Sequence, residues 1–276
     1  MDKLANSNYL KHHQYKDDAN LNARIRLHRQ FSTNKYSWFR WVFEHLNLPQ
    51  TCRILELGCG PGDLWAENAD RLPKGWEVTL SDFSPGMVEH ARQKVLPLSH
   101  EFDLRIIAAQ EIPYPAESFH AVIANHMLYH VPDREKTLSE IHRILKPGGR
   151  AYFATGGENH MSELPALVAK FDPLLAANHQ AEKVDFTLEN GTAQLGQWFS
   201  SVTLYRQENA LRVTEVEPLV DYVLSSLKLG VEIERKDEFA YFVEKELASN
   251  DGELLINKEN GMFEALKKRG VRTGHR

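Results

Sequence analysis

Residues 53–65 read RILELGCGPGDLW, a short apolar run with Glu56 inside it, glycines at 58, 60 and 62, and then a helix-like stretch. The pattern is a strand, a turn with three positions that lack a Cβ, and a helix. Such a turn lets the backbone adopt positive φ and lets a ligand lie against the main chain, where the following helix offers free N–H groups. A small-molecule site is therefore expected at this turn, and Cys59 within it reads as a small filler.

A dinucleotide-binding turn is the obvious rival, and it wants a small residue three positions after the second glycine. That position is Asp63. A negative side chain at a helix N-terminus would repel a pyrophosphate, whereas it can face the ammonium of an amino-acid-bearing ligand. The arrangement E-x-G-x-G-x-G resembles motif I of the class I S-adenosylmethionine-dependent methyltransferases.

The segments that follow keep the same order as that family's motifs. EVTLSD at 77–82 reads as a second strand ending in Asp82, whose two carboxylate oxygens can accept both hydroxyls of a ribose. Phe83 beside it is placed to pack against an adenine ring. Ser84 and Pro85 supply an N-cap and a favourable first helical position, and Met87, Val88, Ala91 and Val95 make the apolar stripe of the helix. DLRII at 103–107 reads as a third strand, and AAQEIPYP after it resembles the family's post-strand segment. Ala108 stands where that segment usually has an adenine-contacting acid. The contact then passes to Gln110, to backbone atoms or to water, at a cost of about 1 kcal/mol for one hydrogen bond. FHAVIA at 119–124 reads as a buried fourth strand followed by NHMLYHV, and LKPGGRAYFAT closely resembles the family's last common motif. Asp133 can cap the helix between them, which the Lys146–Gly149 turn would stop.

The resemblance covers residues 52–156. It implies a Rossmann-like doubly wound α/β sheet of mainly parallel strands with an antiparallel edge strand, N-terminal helices and a helical insertion. It also implies S-adenosylmethionine as cofactor, held by Glu56, Gly58, Gly60, Gly62, Asp82, Phe83, Ala109, Gln110 and Asn125. The expected division is 1–50 as an N-terminal helical cover, 51–156 as the cofactor-binding core, and 157–276 as the rest of the sheet with a helical lid.

Outside the core, YSWFRWVFEHL repeats Trp38, Val42 and Leu46, and Phe39 and Phe43, at helical spacing, which predicts an amphipathic helix. In similar methyltransferases the N-terminal helices cover the substrate cavity, so Tyr15, Phe31, Tyr36 and Trp38 are candidate wall residues, with Tyr129 from the core. Helices are expected over 161–178, 190–199 and 215–228, with another marked by Phe239, Phe242 and Val243. SVTLYRQ reads as a strand. ELLINKENGMFEALKK reads as two strands around Lys258–Asn260, expected as the antiparallel edge pair.

The sulfonium of the cofactor carries its own leaving group, so a dedicated base is optional, and positioning and desolvation do most of the work. Where the acceptor must lose a proton, histidine is the usual choice. His126, His130 and His160 are the candidates, with Tyr129 and Glu158 as lesser ones; His130, common at this place in relatives with different substrates, reads as structural or as cofactor shell. Arg24, Arg26, Arg29 and Arg40 offer paired N–H groups for an acidic acceptor, or simply a solvated face.

The net charge of −5 argues against tight, sequence-independent nucleic-acid binding. There is no apolar run of membrane-spanning length and no signal-peptide core, so a cytosolic protein with no membrane partner is expected. No metal-ligand cluster is indicated, and Cys52 and Cys59 are not placed to bridge. The chemistry expected is methyl transfer to a small-molecule O, N or C nucleophile. An RNA or protein methyltransferase and a non-catalytic cofactor-binding protein are the alternatives, with a dehydrogenase further off.

Overall fold

A computed structural model describes residues 18–178, 185–226 and 229–269. Among them the strands are β1 (Thr51–Leu57), β2 (Gly75–Asp82), β3 (Phe102–Ile106), β4 (Phe119–Asn125), β5 (Leu145–Gly156), β6 (Ser201–Gln207), β7 (Ala210–Val213), β8 (Leu254–Asn257) and β9 (Asn260–Leu266). The α-helices are α1 (Asp18–Phe31), α2 (Trp38–Glu44), α3 (Asp63–Ala66), α4 (Pro85–Val95), α5 (Arg134–Ile144), α6 (Glu163–Phe171), α7 (Pro173–Asn178), α8 (Gly191–Leu195), α9 (Val216–Ser225) and α10 (Lys236–Ser249). The described residues fall into two compact units: 36–155, 185–206 and 261–269 make one, and 18–35, 156–178, 207–226 and 229–260 the other.

The first of these is built on a seven-stranded sheet in the order β3-β2-β1-β4-β5-β9-β6. Pairing is parallel from β3 through β5. β9 runs against β5, because backbone bonds join Lys267 to Gly148 and Gly149 at one end and Glu259 to Gly157 at the other. The central strands read as near-continuous apolar runs because both faces are covered, as a parallel sheet requires. Successive side chains alternate faces. Leu55, Leu57, Val122 and Phe153 enter one core with Leu138, Ile141 and Ile144 of α5. Ile54, Ala121, Ile123 and Tyr152 enter the other with Ala91 and Val95 of α4. α4 is capped by Ser84, whose hydroxyl accepts from Met87 N, with Pro85 opening the helix, and α5 is capped by Asp133, which accepts from Lys136 N. Ser37 caps α2, which buries Val42 completely.

The second unit packs α9 against α1 and α10 beside a two-stranded ribbon of β7 and β8. Its core holds Leu27, Phe31, Leu219, Val223, Phe239 and Val243. No described helix is long and apolar enough to cross a membrane.

Several expectations need correction. The closing stretch does form two strands, but they do not pair with each other: β8 joins β7, and β9 enters the large sheet between β5 and β6, which leaves β6 as the edge strand. The helix expected over 161–178 breaks into α6 and α7 at Asp172, which stands extended at φ −147° and ψ 103°. The residue before a proline is disfavoured in the α region, and Pro173 follows. The helix expected over 190–199 shortens to α8, and that over 215–228 ends at Ser225, with Leu227 outside the described residues. β5 begins at Leu145, directly after α5, so the Lys146–Gly149 stretch expected as a turn is part of the strand.

Candidate active site

The glycine turn joins the C-terminal end of β1 to α3, and neighbouring strands β2 and β4 end beside it. Gly58, Gly60 and Gly62 all lie at positive φ, at 67°, 53° and 83°. Two of them also lack room for a side chain. A Cβ on Gly58 would sit 2.9 Å from Cβ of Met127, and one on Gly62 would sit 3.3 Å from Cγ1 of Val95, so Gly62 lets α4 approach the turn. A Cβ on Gly60 would meet nothing within 4 Å, which leaves that stretch of main chain open to a ligand.

Asp82, at the end of β2, is buried and closes the turn from below. Its Oδ2 accepts from Gly60 N at 3.1 Å and its Oδ1 from Ser84 N at 2.9 Å. With the Phe83 N–H as a further donor, at least one lone-pair site of the carboxylate stays open to a hydroxyl. Burial raises its pKa, and the N–H groups of Ser84, Gly60 and Phe83 oppose that rise.

Glu56 is the most deeply placed charge of the turn, at 2% exposure. Trp65, in α3, donates its Nε1–H to Oε2 at 2.6 Å, and Asn125 Nδ2, at the end of β4, reaches Oε1 at 3.4 Å. Loss of water pushes the Glu56 carboxyl up to about 7; the Trp65 and Asn125 bonds pull against this, and nearby Asp82 and Asp63 add to it. Asn125 Oδ1 is buried and has no hydrogen-bond partner. A desolvated carboxylate beside an unused amide oxygen is a pocket of acceptors that lacks a cation. These residues fit an ammonium-bearing ligand.

Asp63 does not take that part. Its carboxylate is engaged by Lys94 of α4. Ala109 is buried, Gln110 is half-buried on the turn after β3, Ala108 is exposed, and Phe83 is half-buried next to Asp82.

Beyond β4, the rings of Trp41, Trp38, His126, Tyr129 and His130 follow one another. Trp38 stacks on Trp41 at 5.1 Å between centroids and lies 5.2 Å from His126; Tyr129 is 6.4 Å from His126 and 4.5 Å from His130. His126 stands at φ 49°, a left-handed conformation that is costly for a residue with a Cβ, and it is held there by its N–H bond to Ala154 O at 3.0 Å. The structure thus brings His126, His130, Tyr129 and Trp38 together. His160 belongs to the other unit, where Phe31 also packs within the core. Tyr36 is exposed, with its hydroxyl bonded to Glu44. Tyr15 lies outside the described residues. Of the four arginines, Arg24 is held by Ser225, Arg26 by Glu217 and Asp221, and Arg40 by Asp70. Sequence reasoning missed Trp65, the buried donor that fixes Glu56; a tryptophan in the first turn after a glycine loop is the signal that could have found it.

Residues 55–153 match the family model described as "Methyltransferase domain". The chain is 34% identical over 116 residues to a ubiquinone/menaquinone biosynthesis C-methyltransferase of Geotalea daltonii, a stretch that covers 41% of this chain and 49% of that one. The chain thus spans about half the length of the curated relatives it matches. Among solved structures, phosphoethanolamine N-methyltransferase 2 of Haemonchus contortus with S-adenosyl-L-methionine superposes with a TM-score of 0.60 at 18% identity, over 98% of this chain and 61% of that one. The YcgJ protein of Bacillus subtilis gives 0.56 at 16% identity, over 84% and 98%. These structural likenesses bear on the fold. Together with the matched segment, the glycine turn and the carboxylates that close it, they make residues 55–153 a class I methyltransferase domain of the S-adenosylmethionine-dependent type.

Proposed function

We propose that the chain is a methyltransferase that carries the methyl group of S-adenosylmethionine to a small-molecule oxygen, nitrogen or carbon nucleophile. The observation that carries this reading is the unused Oδ1 of Asn125 beside the buried Glu56 carboxylate, which accepts from Asn125 Nδ2, one strand away from Asp82. Glu56 and Asn125 would hold the ammonium of the cofactor, Asp82 its ribose hydroxyls, and the main chain at Gly60 its close approach. Phe83, Ala109 and Gln110 would flank the adenine.

The bound sulfonium supplies an activated methyl group and its own leaving group, so the transfer needs no covalent enzyme intermediate. The chain's own contribution is to orient the acceptor and exclude water. Trp38 and Tyr129 would form an apolar wall, and His126 between them would orient the nucleophile and accept its proton where one is lost. The strained backbone of His126 supports a role for that residue, since such strain clusters at functional positions.

The relative named for ubiquinone and menaquinone biosynthesis supports a small acceptor over a macromolecule, as does the net charge of −5. The test is incubation of the purified chain with methyl-labelled cofactor and a panel of phenols, quinols, amines and organic acids, with RNA and protein added separately. Label in a small organic product supports the proposal. Label in RNA or protein, or binding of the cofactor without any transfer, would overturn it in favour of the corresponding alternative.

A further inference from the structure

Trp65 is held more firmly than a four-residue helix could hold it alone. Its indole is fully buried, and it meets Trp76 edge-on at 6.4 Å and Phe102 at 5.9 Å between ring centroids. α4 backs the start of α3, where a Cβ on Gly62 would stand 3.5 Å from Cα of Ala91. A ring enclosed in this way keeps one orientation, and its single donor keeps one direction. That direction is Glu56, whose Oε2 accepts the indole N–H at 2.6 Å.

Glu56 is fixed from the main chain as well. It lies between Leu80 of β2 and Ile123 of β4 in the parallel ladder, and its carbonyl accepts from Ser81 Oγ at 2.7 Å. With Oε2 engaged by the indole, Oε1 has only the long 3.4 Å bond from Asn125 Nδ2, and Asn125 Oδ1 has no partner. The open acceptors are therefore Oε1 and Oδ1, on adjacent strands. The ionisable groups nearest the carboxyl do not balance its charge. Asp82 of β2 and Asp63 of α3 are acidic and disfavour its ionisation, and Lys94 of α4 is engaged by Asp63. Cys59 in the turn is held neutral by burial, with Glu56 and Asp82 adding to it.

We propose that Trp65 is a positioning residue for cofactor binding: its N–H favours the ionised Glu56 and leaves Oε1 to the cofactor ammonium, so that binding is coupled to the loss of one proton from Glu56. This rests on the reading in which Glu56 and Asn125 hold that ammonium. The carboxyl gives its proton to solvent, and the carboxylate then accepts an N–H of the ammonium. Burial lifts the carboxyl to about 7, so near neutral pH a large share of unliganded chains must release that proton to bind. An N–H bonded to the ionised form works against burial, and removing it moves the titration up by about one pH unit for one charge-assisted bond.

The test is calorimetric titration of the full chain with S-adenosylmethionine from pH 6 to pH 9. Wild type is compared with Trp65→Phe and with a chain carrying benzothienylalanine at position 65, which keeps the two-ring shape, replaces the N–H with sulfur and serves if Trp65→Phe does not fold. The cofactor's own amine titrates alike in every arm, so the readout is the ratio of wild-type to variant affinity. The expected ratio is about tenfold at pH 6 and falls to about one at pH 9. In a Glu56→Gln background the same replacement should give a ratio that does not vary with pH. A second readout needs no cofactor: the carboxyl carbon signal of Glu56 should titrate about one pH unit higher in either variant. A ratio that stays the same at every pH, or a Glu56 titration that does not move, would overturn the role of Trp65 while leaving the cofactor reading intact. Absence of wild-type binding at every pH would overturn the cofactor reading and this role with it.

Discussion

The deepest charge of the candidate active site makes a prediction that separates function from stability. Glu56 is 2% exposed, and burial lifts its carboxyl from 4.5 to about 7. A raised carboxyl binds its proton more tightly in the folded state, so its effect on stability is absent at pH values below the unfolded value. Stability then falls as pH rises from 4.5 to about 7 and levels off above that. At about 1.4 kcal/mol per pKa unit, the loss is about 3 kcal/mol at pH 8. Glu56→Gln keeps an oxygen for the Trp65 indole and removes the charge. Urea unfolding of both proteins from pH 4 to pH 9 is the assay. The variant should match wild type at the acid end and exceed it by about 3 kcal/mol at the alkaline end, while losing affinity for the cofactor, whose ammonium the carboxylate would hold. Stability curves that run parallel across the whole range would refute the reasoning, because Glu56 would then not be ionising against its surroundings.

Other perturbations should read as follows. Trp65→Phe removes the indole N–H that Glu56 accepts at 2.6 Å, and it should cost about 1–3 kcal/mol in the same urea assay at neutral pH. Gly58→Ala places a Cβ 2.9 Å from Cβ of Met127 at a backbone φ of 67°, so a loss of about 2–4 kcal/mol is expected from thermal melts. His126→Ala should lower single-turnover methyl transfer about a hundredfold with cofactor affinity retained, and undiminished turnover with an unchanged pH profile would remove the residue from the proposed chemistry. Lys94→Met frees Asp63 from its ion pair at a partly exposed position and should change stability by less than about 1 kcal/mol.

The parallel half of the sheet was legible because its signals are local. Buried strands such as 119–124 read as nearly continuous apolar runs, broken there only by His120, and Ser84, Pro85 and Asp133 announce the helices that follow. The positions of Glu56, Asp82 and Asn125 follow from the same logic, since each ends or nearly ends a parallel strand. Tertiary partnerships carry no such mark. β8 and β9 are two residues apart in the chain, and a hairpin is the natural expectation, yet each pairs with a strand from a different sheet. β7 has four residues and too few alternations to stand out. Asp63 looks available in sequence, and only the packing of α4 on the turn shows that Lys94 takes it. The burial of Lys258 is equally hidden, because lysine carries no sequence sign of a dry setting.

The central claim is that the glycine turn, with Glu56, Asn125 and Asp82, binds S-adenosylmethionine. Calorimetric titration of wild type and Asp82→Ala with S-adenosylmethionine, its demethylated product and NAD tests it most directly. The account predicts micromolar binding of the first two, no binding of NAD, and loss of both affinities in a variant that remains folded. Binding of NAD instead, or cofactor binding that Asp82→Ala leaves intact, would contradict it.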